Sequence, residues 1–273
     1  MADLKFRGLS NLDGRIMRFS VLASGSAGNA CYVESARSKV LIDAGLSCRE
    51  IIRRLELIGV NPEHLDALIL THEHSDHIKG AGPLSRRFDL PVYVNGSTLK
   101  RGIRTLGGLS RPVTIHTGQS IPIHDLVVET FTKCHDAADP IGLVISSNGV
   151  KLGLATDLGR STQLVEDRLR GCQALIIEFN HDEKMLEEGP YPLDLKKRIR
   201  GPDGHLSNLQ AGELVKTVFH EDLKVVIAAH LSATNNLPEK ALYEVERALM
   251  GGVKKNTKIV LSHQDYPLPM VEL

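Results

Sequence analysis

Tryptophan is absent, and aromatic residues make up only 4% of the chain, so any core must be mostly aliphatic. Neither sign of charge dominates: 33 Lys and Arg stand against 33 Asp and Glu. That balance excludes a global pull toward nucleic acid or an anionic membrane, and a polyanion site has to be a local patch. No apolar run is long enough to span a bilayer. Residues 1–18 are mixed and charged, without the apolar stretch of a signal peptide. The four cysteines, Cys31, Cys48, Cys134 and Cys172, are scattered with no CxxC pair. In a chain without a signal they read as reduced thiols, and a cytoplasmic protein is expected. The small-residue turn Ser24-Gly25-Ser26-Ala27-Gly28-Asn29 lacks the Gly-Lys-Ser/Thr ending of a phosphate loop, which argues against nucleotide binding there.

What is present is ample apolar material, 42% of 273 residues, enough for one large α/β domain or two small ones. Strands are expected over 18–22, 30–34, 39–42, 67–70, 92–94, 126–131, 142–146, 150–155, 174–177, 225–228 and 258–261. Asn148-Gly149 reads as a hairpin turn. Helices are expected over 49–58, from a Ser97 cap to about 104, over 162–169, over 208–219 behind a Ser207 cap, and over 238–250. Strands come first and helices alternate with them later in both halves, the order of sheets sandwiched between helices. No repeat or linker appears, so residues 17–273 are expected to form one domain. Residues 1–16, preceding a second candidate start at Met17, read as an extension.

The most informative stretch is Thr71-His72-Glu73-His74-Ser75-Asp76-His77, directly after the apolar run 67–70. In an extended backbone His72 and His74 point the same way and Glu73 the other. Asp76 and His77 follow as the chain turns toward a helix, so one strand end can offer ligands to two neighbouring cations. Further acids and imidazoles recur at strand ends: Asp43, His135-Asp136, Asp157 and His230. Singly, such residues commonly cap helices or sit in turns; together with the first cluster, His135, Asp157 and His230 read as ligands. Imidazole with carboxylate suits zinc, manganese or iron, and no thiolate is required. Cys134 neighbours His135 but points to the opposite face of a strand. His64, His116, His124, His220 and His263 have no assigned role.

These residues resemble the metallo-β-lactamase superfamily, through His72-x-His74-x-Asp76-His77, His135, Asp157, His230 and the upstream Asp43, over nearly the whole chain from Met17. The resemblance implies an α/β fold, an αββα four-layer sandwich, with a two-metal site at one sheet edge. Carried over by position, His72, His74 and His135 hold one cation; Asp76, His77 and His230 hold the second; Asp157 bridges them; Asp43 orients a ligand imidazole from behind. Two cations about 3.5–4 Å apart can share a hydroxide that is nucleophilic near neutral pH, so the implied reaction is hydrolysis, with Asp76 also catalytic.

Gly204-His205-Leu206-Ser207-Asn208 places an imidazole just before a helix, as in ribonuclease Z-type nucleases. By that resemblance His205 contacts the scissile phosphate or protonates the leaving oxygen. Glu178-Phe179-Asn180-His181 ends a strand as a comparable acidic stretch does there. The basic run Lys196-Lys197-Arg198-Ile199-Arg200 is either a solvated helix face or a grip on phosphates. The Ser24–Asn29 turn, Cys134-His135-Asp136-Ala137, Gly204-His205-Leu206-Ser207-Asn208 and His230-Leu231-Ser232-x-x-Asn235-Asn236 together resemble the YycJ-like (WalJ/VicX) branch, which implies a DNA exonuclease acting from 5′ ends. His181, Lys196, Lys197, Arg198, Arg200, Ser232 and Asn235 are the candidate substrate-binding residues. A homodimer would widen a DNA-binding surface. The stretch from Asp157 to His230 is too short for the clamping domain of larger RNA-processing relatives. Two other readings stand beside this one: a thioester or lactone hydrolase of glyoxalase II type, and a non-catalytic nucleic-acid or protein-binding module.

Overall fold

A computed structural model describes residues 17–250 and 257–273. The expected extension, residues 1–16, lies outside the described residues. The chain runs β1 (Arg18–Ala23), β2 (Ala30–Glu34), β3 (Lys39–Ile42), α1 (Cys48–Leu57), β4 (Ala67–Ile69), α2 (Ser75–Ile78), α3 (Ala81–Phe88), β5 (Pro91–Asn95), α4 (Gly96–Leu106) and β6 (Arg111–Ile115). It continues β7 (Ser120–Ile123), β8 (Leu126–Thr132), β9 (Ile141–Ser147), β10 (Val150–Ala155), α5 (Gln163–Leu169), β11 (Ala174–Glu178), α6 (Glu183–Glu188), α7 (Leu193–Arg200), α8 (Asn208–Val218), β12 (Val225–Ala229), α9 (Pro238–Met250), β13 (Lys258–Leu261) and β14 (Val271–Glu272).

Two seven-stranded sheets result, ordered β14-β1-β2-β3-β4-β5-β6 and β13-β12-β11-β10-β9-β8-β7. Because strand side chains alternate, each sheet has two apolar faces to cover. Val33, Val40, Ile42 and Ile69 of one sheet meet Val128, Leu143, Ile176 and Ile227 of the other in a shared inner core. Their neighbours Tyr32, Leu41 and Leu68 pack outward under α1, α3 and α4. Leu175, Ile177 and Val226 pack outward under α5, α8 and α9. The order is helix, sheet, sheet, helix, and the core is mostly aliphatic, with Phe19, Tyr32, Phe131 and Phe179 buried in it.

Local choices differ from the sequence expectations in several places, among them the strands β6, β7 and β14. The α4 cap is Asn95, whose side chain accepts from Thr98 N at 2.8 Å, so the helix starts ahead of Ser97. The segment Ala81–Phe88 is helical despite Gly82 and Pro83. Gly82 is there for closeness: a Cβ would lie 1.7 Å from the Leu106 carbonyl oxygen of α4. The short helices α6 and α7 fill the region between His181 and His205.

Strands β3 and β4 are parallel in one sheet, and β10, β11 and β12 are parallel in the other. Their carboxyl ends therefore leave at a common edge. There the backbone bends sharply: Asp43, Asp157 and His230 adopt left-handed φ of 56°, 53° and 55°. Non-glycine residues pay an energetic penalty for this conformation, which concentrates at functional sites.

Candidate metal centre

The loop after β4 delivers His72, His74, Asp76 and His77 to that edge. His135 arrives after β8, Asp157 after β10 and His230 after β12. Ligating atoms of His72, His74 and His135 lie within 4.8 Å of one another, and so do those of Asp76, His77, Asp157 and His230. Asp157 stands between the groups: Oδ2 is 3.2 Å from His77 Nε2, while Oδ1 is 3.4 Å from His230 Nε2 and 3.9 Å from His135 Nε2. His135 Nε2 faces His74 Nδ1 at 3.2 Å.

The outward ring nitrogens are already engaged. His77 Nδ1 is 2.7 Å from Asp43 Oδ2, His230 Nδ1 is 2.8 Å from Glu178 Oε1, His72 Nδ1 is 3.0 Å from Thr71 Oγ1, and His135 Nδ1 is 3.2 Å from the Gly204 carbonyl. Anchoring one nitrogen leaves the other aimed inward, the usual arrangement behind a metal-bound imidazole. Inward, His72 Nε2 and His230 Nε2 are buried with no hydrogen-bond partner in the protein. Orphaned buried polar atoms are costly. Nitrogen and oxygen donors converging this way fit divalent cations.

Electrostatics agree. Desolvation opposes charge on the buried His77 ring, yet Asp157 and Asp43 prevail and raise it to about 10. His230 is likewise raised against desolvation, by Asp157, Asp76 and Glu178. His72 is pushed down by desolvation and by the charge of His77. Burial works to raise Asp157, but His230, His77 and Lys133 hold it below the ordinary carboxylate range. The side of the pocket formed by Asp76, His77, Asp157 and His230 thus favours positive charge, whereas burial keeps His72 and His135 neutral.

Four participants have no specific role in the reading of the sequence. Glu178 is fully buried and accepts from His205 Nδ1 at 2.7 Å as well as from His230. It also brings His205 into a further set of converging donors with Asp157 and His230. Asn29 Nδ2 lies 3.0 Å from His77 Nε2 and 3.2 Å from Asp76 Oδ2, so the 24–29 turn supports the site as well as reversing the chain. Lys133, 4% exposed, donates to the Thr156 carbonyl at 2.5 Å and steadies the bend at Asp157. Asp136 Oδ1 is 3.5 Å from His135 Nε2 and 4.0 Å from His74 Nε2, and its other oxygen pairs with Arg198. Gly45 lets the β3–α1 loop lie against the histidine loop: a Cβ there would sit 1.6 Å from the Asp76 carbonyl oxygen. Cys134 faces away, with Arg160 Nε donating to its sulfur at 3.3 Å. Glu73 also points away and accepts from Ala138 N at 2.8 Å.

A cleft of about 280 Å³ adjoins the centre, lined among others by Ser26, Asp136, Asn180, Arg198, His205 and Ser232. The sequence candidates for substrate binding divide around it. Arg198, Ser232 and His205 reach the cleft. Lys196 Nζ instead donates to the Glu187 carbonyl and Arg200 to the Glu183 carbonyl, tying α7 to α6. Lys197 is exposed. His181 is 2% exposed behind the cleft, its Nδ1 unpartnered, and desolvation lowers it to about 4. Asn235 is buried with its amide unpartnered, against Gly189.

The model of the beta-lactamase superfamily domain matches residues 38–230. Exodeoxyribonuclease YycJ of Bacillus anthracis is 37% identical over 85% of this chain and 89% of its own length. Exodeoxyribonuclease WalJ of Streptococcus pneumoniae serotype 2 is 34% identical over 94% and 98%. Among solved structures, the metallo-beta-lactamase fold protein YhfI from Bacillus subtilis superposes with a TM-score of 0.72 at 16% identity, covering 95% of this chain and 100% of that one.

Proposed function

The chain belongs to the beta-lactamase superfamily, and from that membership we propose that it is a metal-dependent phosphodiesterase that removes nucleotides from DNA ends. Relatives called exodeoxyribonucleases, aligned over most of this chain, support the substrate. The single observation that carries the chemistry is His205, held through Nδ1 by Glu178 at 2.7 Å. Its ring centroid is 5.2 Å from those of His135 and His230. A sugar alkoxide is a poor leaving group and needs a proton, whereas a thiolate, with a pKa of about 8.5, leaves without one. An oriented imidazole at the mouth of the centre therefore favours a phosphodiester over a thioester.

His72, His74 and His135 would hold one divalent cation and Asp76, His77 and His230 a second, with Asp157 between; zinc, manganese or iron there would polarise a phosphoryl oxygen and acidify a water. Asp43 and Glu178 keep the imidazoles in place. His205 hands its proton to the departing oxygen. Arg198 and Ser232 line the cleft where flanking phosphates lie. Residues 158–229 carry only α5, β11, α6, α7, α8 and β12, with no inserted clamp, in keeping with DNA ends over a folded RNA. Degradation from 5′ ends, a homodimer and a cytoplasmic setting belong to the same reading. All four cysteines are free, which suits a reducing compartment; no described helix is long and apolar enough to cross a membrane.

The test is divalent-metal-dependent release of nucleotides from end-labelled duplex DNA, run beside bis(p-nitrophenyl) phosphate and a thioester. Release of nucleotides that His205→Ala suppresses supports the reading. Thioester turnover without phosphodiester turnover, under zinc, manganese and iron alike, would sink it. Full function in cells after His74→Ala and Asp157→Ala would point to a non-catalytic module instead.

A further inference from the structure

The overall charge balance conceals a strong asymmetry. Residues 79–111 contain seven basic side chains, Lys79, Arg86, Arg87, Lys100, Arg101, Arg104 and Arg111, and a single acid, Asp89. All seven are exposed. Elsewhere cations and acids alternate along the chain and some are matched: Arg53 with Glu50, Arg168 with Glu129, Arg170 with Asp167, Lys216 with Glu213. Among the described residues, Lys79, Lys100, Arg101 and Arg104 form no ion pair. On α4 the 3.6-residue period puts Lys100, Arg101 and Arg104 on one side, opposite the buried Thr98, Gly102 and Leu106.

The helix that carries this stripe packs against the centre's loops through its opposite, buried side. A Cβ on Gly102 would meet Ile78 Cδ1 of α2 at 2.9 Å and Glu73 Cβ of the histidine loop at 3.5 Å. The α4 cap residue Asn95 donates to the Asp139 carbonyl at 2.6 Å, just beyond His135-Asp136. The helix is thus clamped at its start and middle to both loops that form the first histidine group. Lys79 closes α2 immediately after His77 and Ile78. A solvated helix face normally mixes both signs; leaving the three cations of α4 unpaired, with Lys79 on the adjoining α2, costs self-repulsion that a bound polyanion would relieve.

We propose that the face formed by Lys79, Lys100, Arg101 and Arg104 is a docking track for the phosphate backbone of DNA, leading away from the metal centre. It holds the duplex behind the end being cleaved, independently of base sequence. The identity of the polyanion rests on the phosphodiesterase reading above; the existence of the track rests on charge and placement.

The experiment uses the full, metal-loaded chain and a phosphorothioate duplex that resists cleavage, with binding followed by fluorescence anisotropy from low to high salt. Lys100→Gln, Arg101→Gln and Arg104→Gln are combined in one variant. A charge-matched control combines Arg168→Gln, Arg170→Gln and Lys216→Gln, all paired residues. Thermal unfolding verifies that both variants are folded. The α4 variant is expected to bind on the order of tenfold more weakly, and its slope of log Kd against log salt should be shallower by about 0.9 for each phosphate no longer neutralised; the control stays close to the parent. Equal weakening in both variants, or parent-like binding by the α4 variant, overturns the proposal. So does binding to phosphatidylserine vesicles that depends on α4 while duplex binding does not. Failure of the parent to release nucleotides counts against the phosphodiesterase reading alone, because the binding measurement decides the track.

Discussion

Glu178 engages two imidazoles through one oxygen. Oε1 accepts from the Nδ1 atoms of His205 and His230, while Oε2 accepts from the backbone N–H groups of Leu158 at 2.8 Å and Leu206 at 3.3 Å. It thereby fixes the tautomer of a proposed ligand and of the proposed acid together. Glu178→Gln keeps the shape, loses the charge and offers an amide donor to a ring N–H that needs an acceptor. Metal affinity and nucleotide release are both expected to fall about 10–100-fold, read by competition with a chromophoric chelator and by end-labelled DNA. Parent-like values for both would reduce Glu178 to a packing role. Its strand-end position is legible in the sequence; its partners are not, because His205 and His230 lie 27 and 52 positions away. The contiguous His72–His77 loop is legible because its spacing alone puts the groups together. Asn29 and Lys133 are not, because each acts across the fold, on His77 and on the Thr156 carbonyl.

Helix α1 illustrates how an element is attached. Ser47 caps it, its side chain accepting from Glu50 N, and Ile51 and Leu55 are buried beneath it. Arg54 is only 5% exposed; its Nη1 donates to the carbonyls of Leu22 and Gln264 at 2.8 Å each, and its Nε to Glu50. Arg54→Ala strands both carbonyls and is expected to cost about 3 kcal/mol, measured by urea unfolding. Hydrogen bonds from Arg53 and Arg54, and the charges of both, outweigh desolvation and hold Glu50 down to about 2. Since its folded value lies below the unfolded one, this contribution is present above pH 4.5 and fades as pH falls toward 2. Arg54→Ala should therefore lose part of the acid sensitivity of the parent. Periodicity identifies α1 in the sequence. The same reading misses α3, where Gly82 and Pro83 look like breakers until α4 is seen to require the missing side chain. It also reads 196–200 as one basic run, whereas α7 sends Arg198 to the cleft and turns Lys196 and Arg200 toward α6.

At the scale of the molecule, the proposed metal centre is a staple. His72, His74, Asp76 and His77 belong to one sheet's edge, and His135, Asp157 and His230 to the other's. Cations held between them would join the two halves and bind only the folded chain. Loading at 100 times Kd is expected to stabilise by about 2.7 kcal/mol per site, seen as a lower melting temperature after exhaustive chelation. The difference should widen as pH rises. In the metal-free chain His77 carries a proton up to about pH 10, and that stabilising charge, fully present below the unfolded value of 6.5, is lost as pH rises through 10. Metal binding must expel that proton, which becomes easier over the same range. A melting temperature indifferent to chelation at every pH would exclude the staple.

Sequence by itself determined the donor types, the spacing that makes His72 and His74 neighbours, and the alternation of apolar positions that requires sheets covered on both faces. Those are properties of adjacent residues and of backbone period. Only the tertiary structure decided that these donors come within reach of one another, that Glu178 serves two histidines, and that α4, whose outer side carries unpaired cations, packs against the histidine loop. Such facts depend on distances between segments far apart in the chain, set by how two sheets and their helices pack.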